Sequence, residues 1–439
     1  MEKQTFSDLW EKLKEGLITL KNRGFFHIIA GSTLAKIAGF VSVFFLPQFL
    51  SKADYGLLTY VDNIRNYVML INGIGITNAT LRYCAQEGSD EEKKGYFLMS
   101  LKVGIIADVL LILFTGAAYL ILPFPFEGAK FQLVLSACLP IFYFLFTDIQ
   151  LLLRATFQNK RYSVYNFTYS FLLMAFQILF AVLWGVTGVM VGRYISMAFC
   201  VLMGFVLIKD LPMMKAKAQM PDRAETIRLI RFGIVMLTAS ATSMVMSYNE
   251  TFIVGQLLKK EELLAEYRVA ANIMSISLFL LEALLVFILP YFIQHIKDKQ
   301  WIWTNYKKLF IINGAVMTVF HLGLFVFAKL FILIFAGREY LNAVGLMRMF
   351  LIASWIQAVF RGISGNILAV TGEEKFNLKI NIVFVIVHAV IDIISIKALG
   401  IYGAAIALIV VYFLSGLIMN IHLRNICRSQ TGKEQYDEE

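Results

Sequence analysis

The sequence predicts an all-α integral membrane protein: twelve transmembrane helices in two six-helix bundles related by a parallel repeat. Three observations predict it. Of 439 residues, 59% are hydrophobic and only 16% charged, with a mean hydropathy of +0.71, whereas soluble domains carry about a quarter charged residues. Polar breaks cut the chain into twelve apolar stretches near the length of roughly 20 residues that about 30 Å of hydrocarbon demands. The two halves also repeat each other. Thr156 and Thr371, Lys160 and Lys375, and Asn166 and Asn381 stand 215 residues apart, and Trp184-Gly185-Val186-Thr187-Gly188 faces Leu399-Gly400-Ile401-Tyr402-Gly403 in the same register. Tyr55 faces Tyr267 at an offset of 212. A repeat in a chain this apolar points to two similar halves with a substrate path between them.

Taken in order, residues 1–24 are too polar for a signal peptide. Phe6, Leu9, Trp10, Leu13 and Leu17 recur there at helical spacing, which suits a cytoplasmic segment lying on the inner membrane surface. Residues 25–208 hold six spans near 25–50, 56–82, 96–122, 131–153, 163–184 and 187–208. A cytoplasmic linker follows at 209–231, with two prolines and six basic residues. Residues 232–423 hold six more, near 232–257, 268–293, 308–335, 342–370, 377–396 and 401–423, before a cytoplasmic tail at 424–439. An even number of spans per half makes the repeats parallel, related by an axis along the membrane normal. Pro47, Pro140 and Pro290 fall within the first, fourth and eighth spans, where they act as packing kinks or as bending points for opening.

Charge placement sets the orientation. The loops on the side of the N-terminus carry about 25 lysines and arginines and the alternating loops about 7, so both termini are expected in the cytoplasm. The formal charge of +10 is then a topology signal and an attraction to anionic membrane lipid, with no nucleic acid implied. Cys84, Cys138, Cys200 and Cys427 form no paired motif, the five histidines show no ligand spacing, and neither a phosphate-binding lysine loop nor a nucleophile elbow occurs. No catalytic residue, metal or cofactor is expected, and the short outer loops leave no room for the catalytic domain that a glycan polymerase or ligase would need.

Several junctions resemble one family. Phe-Leu-Ser-Lys-Ala-Asp-Tyr-Gly-Leu-Leu-Thr-Tyr (49–60) is similar to the first inter-helix signature of the Wzx-like oligosaccharide flippases, relatives of MATE drug exporters and the lipid II flippase. The stretches 335–350, 368–381 and 399–407 resemble later junctions of the same family. The resemblance spans the whole chain. It implies translocation of a polyprenyl-pyrophosphate-linked oligosaccharide across a bacterial or archaeal cytoplasmic membrane, beside a polysaccharide polymerase. A MATE-type small-molecule exporter is the alternative within the superfamily, and a membrane enzyme of glycan assembly the alternative outside it.

Ionisable groups at membrane depth are the candidates for function, because a central charge costs at least about 2.5–3.5 kcal/mol and so faces a cavity or a partner. Lys36, Arg65 and Arg361 are expected to line a cationic cavity for the pyrophosphate, arginine matching phosphate oxygens through paired bonds. Asp62 with Arg65, three residues apart, is equally readable as a local ion pair. Glu250, Glu282, His388 and Asp392 are candidates for coupling to H⁺ or Na⁺, with His388 and Asp392 on one helix face; His388 also reads as a packed, hydrogen-bonded histidine, and the acids as a balance for the cavity's positive charge. Asn63, Asn66, Asn72 and Asn78 in the second span, with Asn249 and Gln357, would serve either a sugar or interhelical hydrogen bonds.

Overall fold

The computed structural model describes residues 25–429. The amphipathic stretch expected within 1–24 and the end of the tail lie outside the described residues. The helices are α1 (Phe25–Phe45), α2 (Lys52–Met69), α3 (Thr77–Ala85), α4 (Asp90–Ile121), α5 (Ala129–Ser136), α6 (Leu139–Ala155), α7 (Asn159–Ile208), α8 (Arg223–Leu258), α9 (Glu261–Gln294), α10 (Lys299–Val326), α11 (Ala328–Phe335), α12 (Val344–Ile356), α13 (Gly362–Val370), α14 (Glu374–Leu399) and α15 (Tyr402–Ser429). Among the described residues, eight helical stretches are long and apolar enough to cross a membrane. The twelve apolar segments all fall on helix, but the second is broken at 70–76, the fourth at 137–138 and the ninth at 327. Residues 223–231 of the expected linker belong to α8.

Local chemistry explains the boundaries. Ser89 caps α4 by accepting from the Glu92 amide while the Glu92 carboxylate takes the Ser89 amide, a reciprocal box that satisfies two otherwise unpaired donors. Pro47 stands in a short 3₁₀ turn after α1 and Pro140 in the first turn of α6, places where a missing amide costs nothing. Of the three span prolines only Pro290 is inside a helix, α9.

The 50-residue α7 would reach about 75 Å as a straight rod, more than twice the hydrocarbon thickness. It reverses instead at Trp184–Gly185, where Gly185 takes φ 56, ψ −136. The two arms then touch through their backbones: a Cβ on Gly188 would lie 1.8 Å from the Phe180 carbonyl oxygen. The α14–α15 pair turns the same way. Gly400 takes φ 62, ψ −144, and a Cβ on Gly403 would lie 2.3 Å from the Ser395 carbonyl. These glycines stand 215 residues apart, in the register read from the sequence. The ends of α6 and α13 match as well. Thr156 Oγ1 donates to the Leu152 carbonyl (2.9 Å) and Thr371 Oγ1 to the Ile367 carbonyl (2.8 Å), and the next residues, Phe157 and Gly372, are both left-handed.

The chain forms two compact units. One holds the residues up to Leu50 together with Ile64–Ala241. Its core gathers Phe97 of α4, Phe146, Ile149 and Leu152 of α6, and Tyr165 and Cys200 of α7. Two buried aspartates tie its helices. Asp108 accepts from the Gly73 amide (2.7 Å) and Asn72 Nδ2 (2.9 Å) at the break in the second span, and Asp148 Oδ1 accepts from Thr80 (2.6 Å) and Ser100 (3.0 Å) hydroxyls.

The other unit holds Ser51–Asn63 and the residues from Thr242 onward. Leu281, Leu285, Tyr306, Met317, Ile363, Ile367 and Met419 build its core. The first part of α2 is bound tightly within it. Lys52 Nζ lies 2.5 Å from Glu266 Oε1, Gln256 Nε2 donates to the Tyr60 hydroxyl (2.8 Å), and Asn63 Nδ2 donates to the Tyr248 carbonyl (3.0 Å).

Candidate functional site

The second unit collects most of the expected ionisable residues. Glu250 on α8 is 5% exposed, and His388 and Asp392 on α14 are fully buried. The His388 Nε2 atom stands 3.4 Å from Asp392 Oδ2, as the i, i+4 spacing places it, yet among the described residues no hydrogen bond completes either side chain. The Tyr267 hydroxyl lies 3.5 Å from Thr251 Oγ1, and its ring packs edge-on against Phe350. Asp392 is close enough for its charge to act on Glu250, and both acids act on Tyr412. Buried carboxylate oxygens without donors hold unspent capacity to accept a proton or a cation.

Arg361 belongs to the same unit, where its charge reaches His388 and Tyr412. Among the described residues its guanidinium meets Gln357 Oε1 (3.1 Å) and Asn381 Oδ1 (2.8 Å), and its carbon lies 5.5 Å from the Tyr412 ring centre. Amide oxygens and an aromatic face orient an arginine without cancelling its charge. The result is a positive group held against Tyr412, in the unit that also holds the unsatisfied carboxylates.

The remaining expected residues lie elsewhere. Lys36 is exposed on α1, and Arg65 is half-buried on α2 with its Nε in dry surroundings and its charge acting on Tyr119, Tyr169 and Tyr194; both belong to the first unit. Glu282 is exposed on α9, apart from the buried acids. Asn63 and Asn72 are engaged in helix-to-helix hydrogen bonds, and Asn78 bonds within its own turn. Among the described residues no three of His, Cys, Asp or Glu converge as metal ligands. Sequence reasoning missed Tyr412, which no motif marks, and held Tyr267 only as a repeat landmark, the partner of Tyr55. It held Asn381 only as a repeat landmark, the partner of Asn166.

A family model described as "Polysaccharide biosynthesis protein" matches residues 22–296. The chain belongs to that family. These are the Wzx-like flippases that the junction motifs resemble, so the chain is a multi-pass membrane transporter rather than an enzyme. No curated protein matches it in sequence. Solved structures match in fold. An inward-facing multidrug resistance MATE family transporter of the MOP superfamily aligns over 91% of this chain and 95% of its own at 13% identity, with a TM-score of 0.70. The lipid II flippase MurJ in an inward closed conformation aligns over 90% and 87% at 12% identity, TM-score 0.67. A MOP superfamily transporter from Pyrococcus furiosus, for which a reversed binding-pocket polarity suggests a different function, aligns over 92% and 94% at 13% identity, TM-score 0.55.

Proposed function

We propose that this protein flips a polyprenyl-pyrophosphate-linked oligosaccharide across the cytoplasmic membrane by alternating access, with both termini in the cytoplasm. The observation that carries the reading is Arg361: a half-buried guanidinium held by amides and an aromatic ring, with its charge left for an anionic headgroup. Lys36 and Arg65, in the first unit, would add further positive charge for the headgroup, and the lipid tail would remain in the bilayer. Twelve spans in two six-helix bundles fit the doubled turns at Gly185 and Gly400 and the doubled helix ends at Thr156 and Thr371. Glu250 and Asp392, with His388, would bind H⁺ or Na⁺ and couple its gradient to resetting the empty carrier. The same acids would suit cationic compounds, which keeps small-molecule export as the second reading.

The test is complementation in a bacterium lacking its own oligosaccharide flippase, supplied with the glycan operon native to this protein. Surface glycan is the readout, and membrane abundance is checked by blot. Wild type is expected to restore glycan, and Arg361→Ala to lower it at least tenfold, with smaller losses for Arg65→Ala and Lys36→Ala. Full activity of Arg361→Ala removes the headgroup site. Failure of wild type together with gain of dye efflux moves the assignment to export.

A further inference from the structure

The helix that carries Arg361 is not regular. Between α12 and α13, residues Gln357–Arg361 wind as a π-turn in which the Gly362 amide bonds back five residues to the Gln357 carbonyl. Such a turn disrupts the usual ladder, costs stability, and is found disproportionately at functional sites. Here its neighbours are built to receive it. A Cβ on Gly416 of α15 would press on Phe360 Cβ at 3.1 Å and on the Arg361 amide nitrogen at 3.2 Å, so the glycine makes room for the widened turn. Asn420, one turn further along α15, donates to the Phe360 carbonyl (2.8 Å) and the Gly416 carbonyl (2.7 Å) and accepts from the Tyr306 hydroxyl. Asn313 of α10 donates to the Ala358 carbonyl (3.2 Å). Polar side chains from two helices thus meet carbonyls of the turn, which would otherwise be costly to bury.

We infer that Gly416 and Asn420 are positioning residues for Arg361: together they hold the π-turn that aims its guanidinium at Asn381. The inference rests on the headgroup role given above to Arg361, and it adds residues that touch no headgroup themselves. Rewinding the turn to an α-helix would rotate position 361 by about one residue, roughly 100°, relative to α12. That carries it toward the place of Gly362, where a Cβ would meet Leu281 at 2.4 Å.

The experiment reads orientation directly and needs no substrate. Full-length protein in lipid nanodiscs carries Arg361→Cys or, as control at the first residue of the turn, where rewinding starts, Gln357→Cys. Each is reacted with a negatively charged methanethiosulfonate reagent, and labelling at that position is followed by peptide mass spectrometry. Adding Asn420→Ser, or Gly416→Ala in a parallel arm, is expected to slow labelling at 361 at least fivefold while leaving 357 within twofold. Unchanged labelling at 361 in either folded variant overturns the inference, as does an equal change at both positions. Loss of glycan export in Arg361→Ala bears on the flippase reading alone, so the two can fail separately.

Discussion

Gly188→Ala tests whether α7 is a hairpin closed by backbone contact. The added methyl carbon would start 1.8 Å from the Phe180 carbonyl oxygen, and real Cβ contacts do not fall below 3.0 Å. The arms must therefore part by at least about 1.2 Å, enough to forfeit much of the dispersion attraction along the contact. Overpacking against rigid backbone belongs at the upper end of its usual cost, about 3 kcal/mol. Alanine's better helix propensity returns about 1 kcal/mol, leaving a net loss of about 2 kcal/mol. Gly116→Ala in α4 is the control, since nothing lies within 4 Å of its Cβ position, and it is expected to stabilise by about 0.5–1 kcal/mol. Equilibrium unfolding of purified protein in mixed micelles, with each variant beside wild type, gives both numbers. If Gly188→Ala unfolds with the wild-type midpoint, or Gly116→Ala is equally damaging, the close-contact hairpin is refuted.

Two other outcomes follow from buried polar contacts. Lys52→Glu and Glu266→Lys each set like charges face to face in a partly buried site and should cost about 1–3 kcal/mol, while the double exchange should recover at least half of that loss in the same unfolding assay. Asp148→Ala strips the acceptor from the Thr80 and Ser100 hydroxyls and should cost about 2–3 kcal/mol; Asp148→Asn keeps an acceptor and should lose less than half as much, as melting by size-exclusion chromatography would show.

Composition made the helical membrane class readable, because hydrocarbon forces every backbone group into an internal hydrogen bond. The breaks were harder to see. Asn72-Gly73-Ile74-Gly75 carries turn residues, but its neighbours are so apolar that hydropathy joins both sides into one span. His388 and Asp392 could be paired from their spacing alone, since i and i+4 share a helix face. Their meeting with Glu250 on α8 and Arg361 after α12 depends on tertiary packing, which periodicity does not encode. Depth also marked Glu282, yet depth says nothing about which way a side chain faces, and Glu282 is exposed on α9. The π-turn was illegible for a related reason: the side chains that stabilise it come from α10 and α15, far along the chain.

The contact between Lys52 and Glu266 spans 214 residues. A ribosome adding about 5–20 residues per second leaves Lys52 waiting roughly 10–40 s for its partner to be made. For most of that interval Tyr60 and Asn63 also lack Gln256 and Tyr248, so the second helix is made well before these partners of its polar face. The α7 hairpin, by contrast, closes between residues eight apart and can form as soon as it leaves the ribosome. The 51–63 stretch is thus made early and satisfied late: its contacts wait on residues about 185–214 positions further on, whereas the hairpin waits on eight.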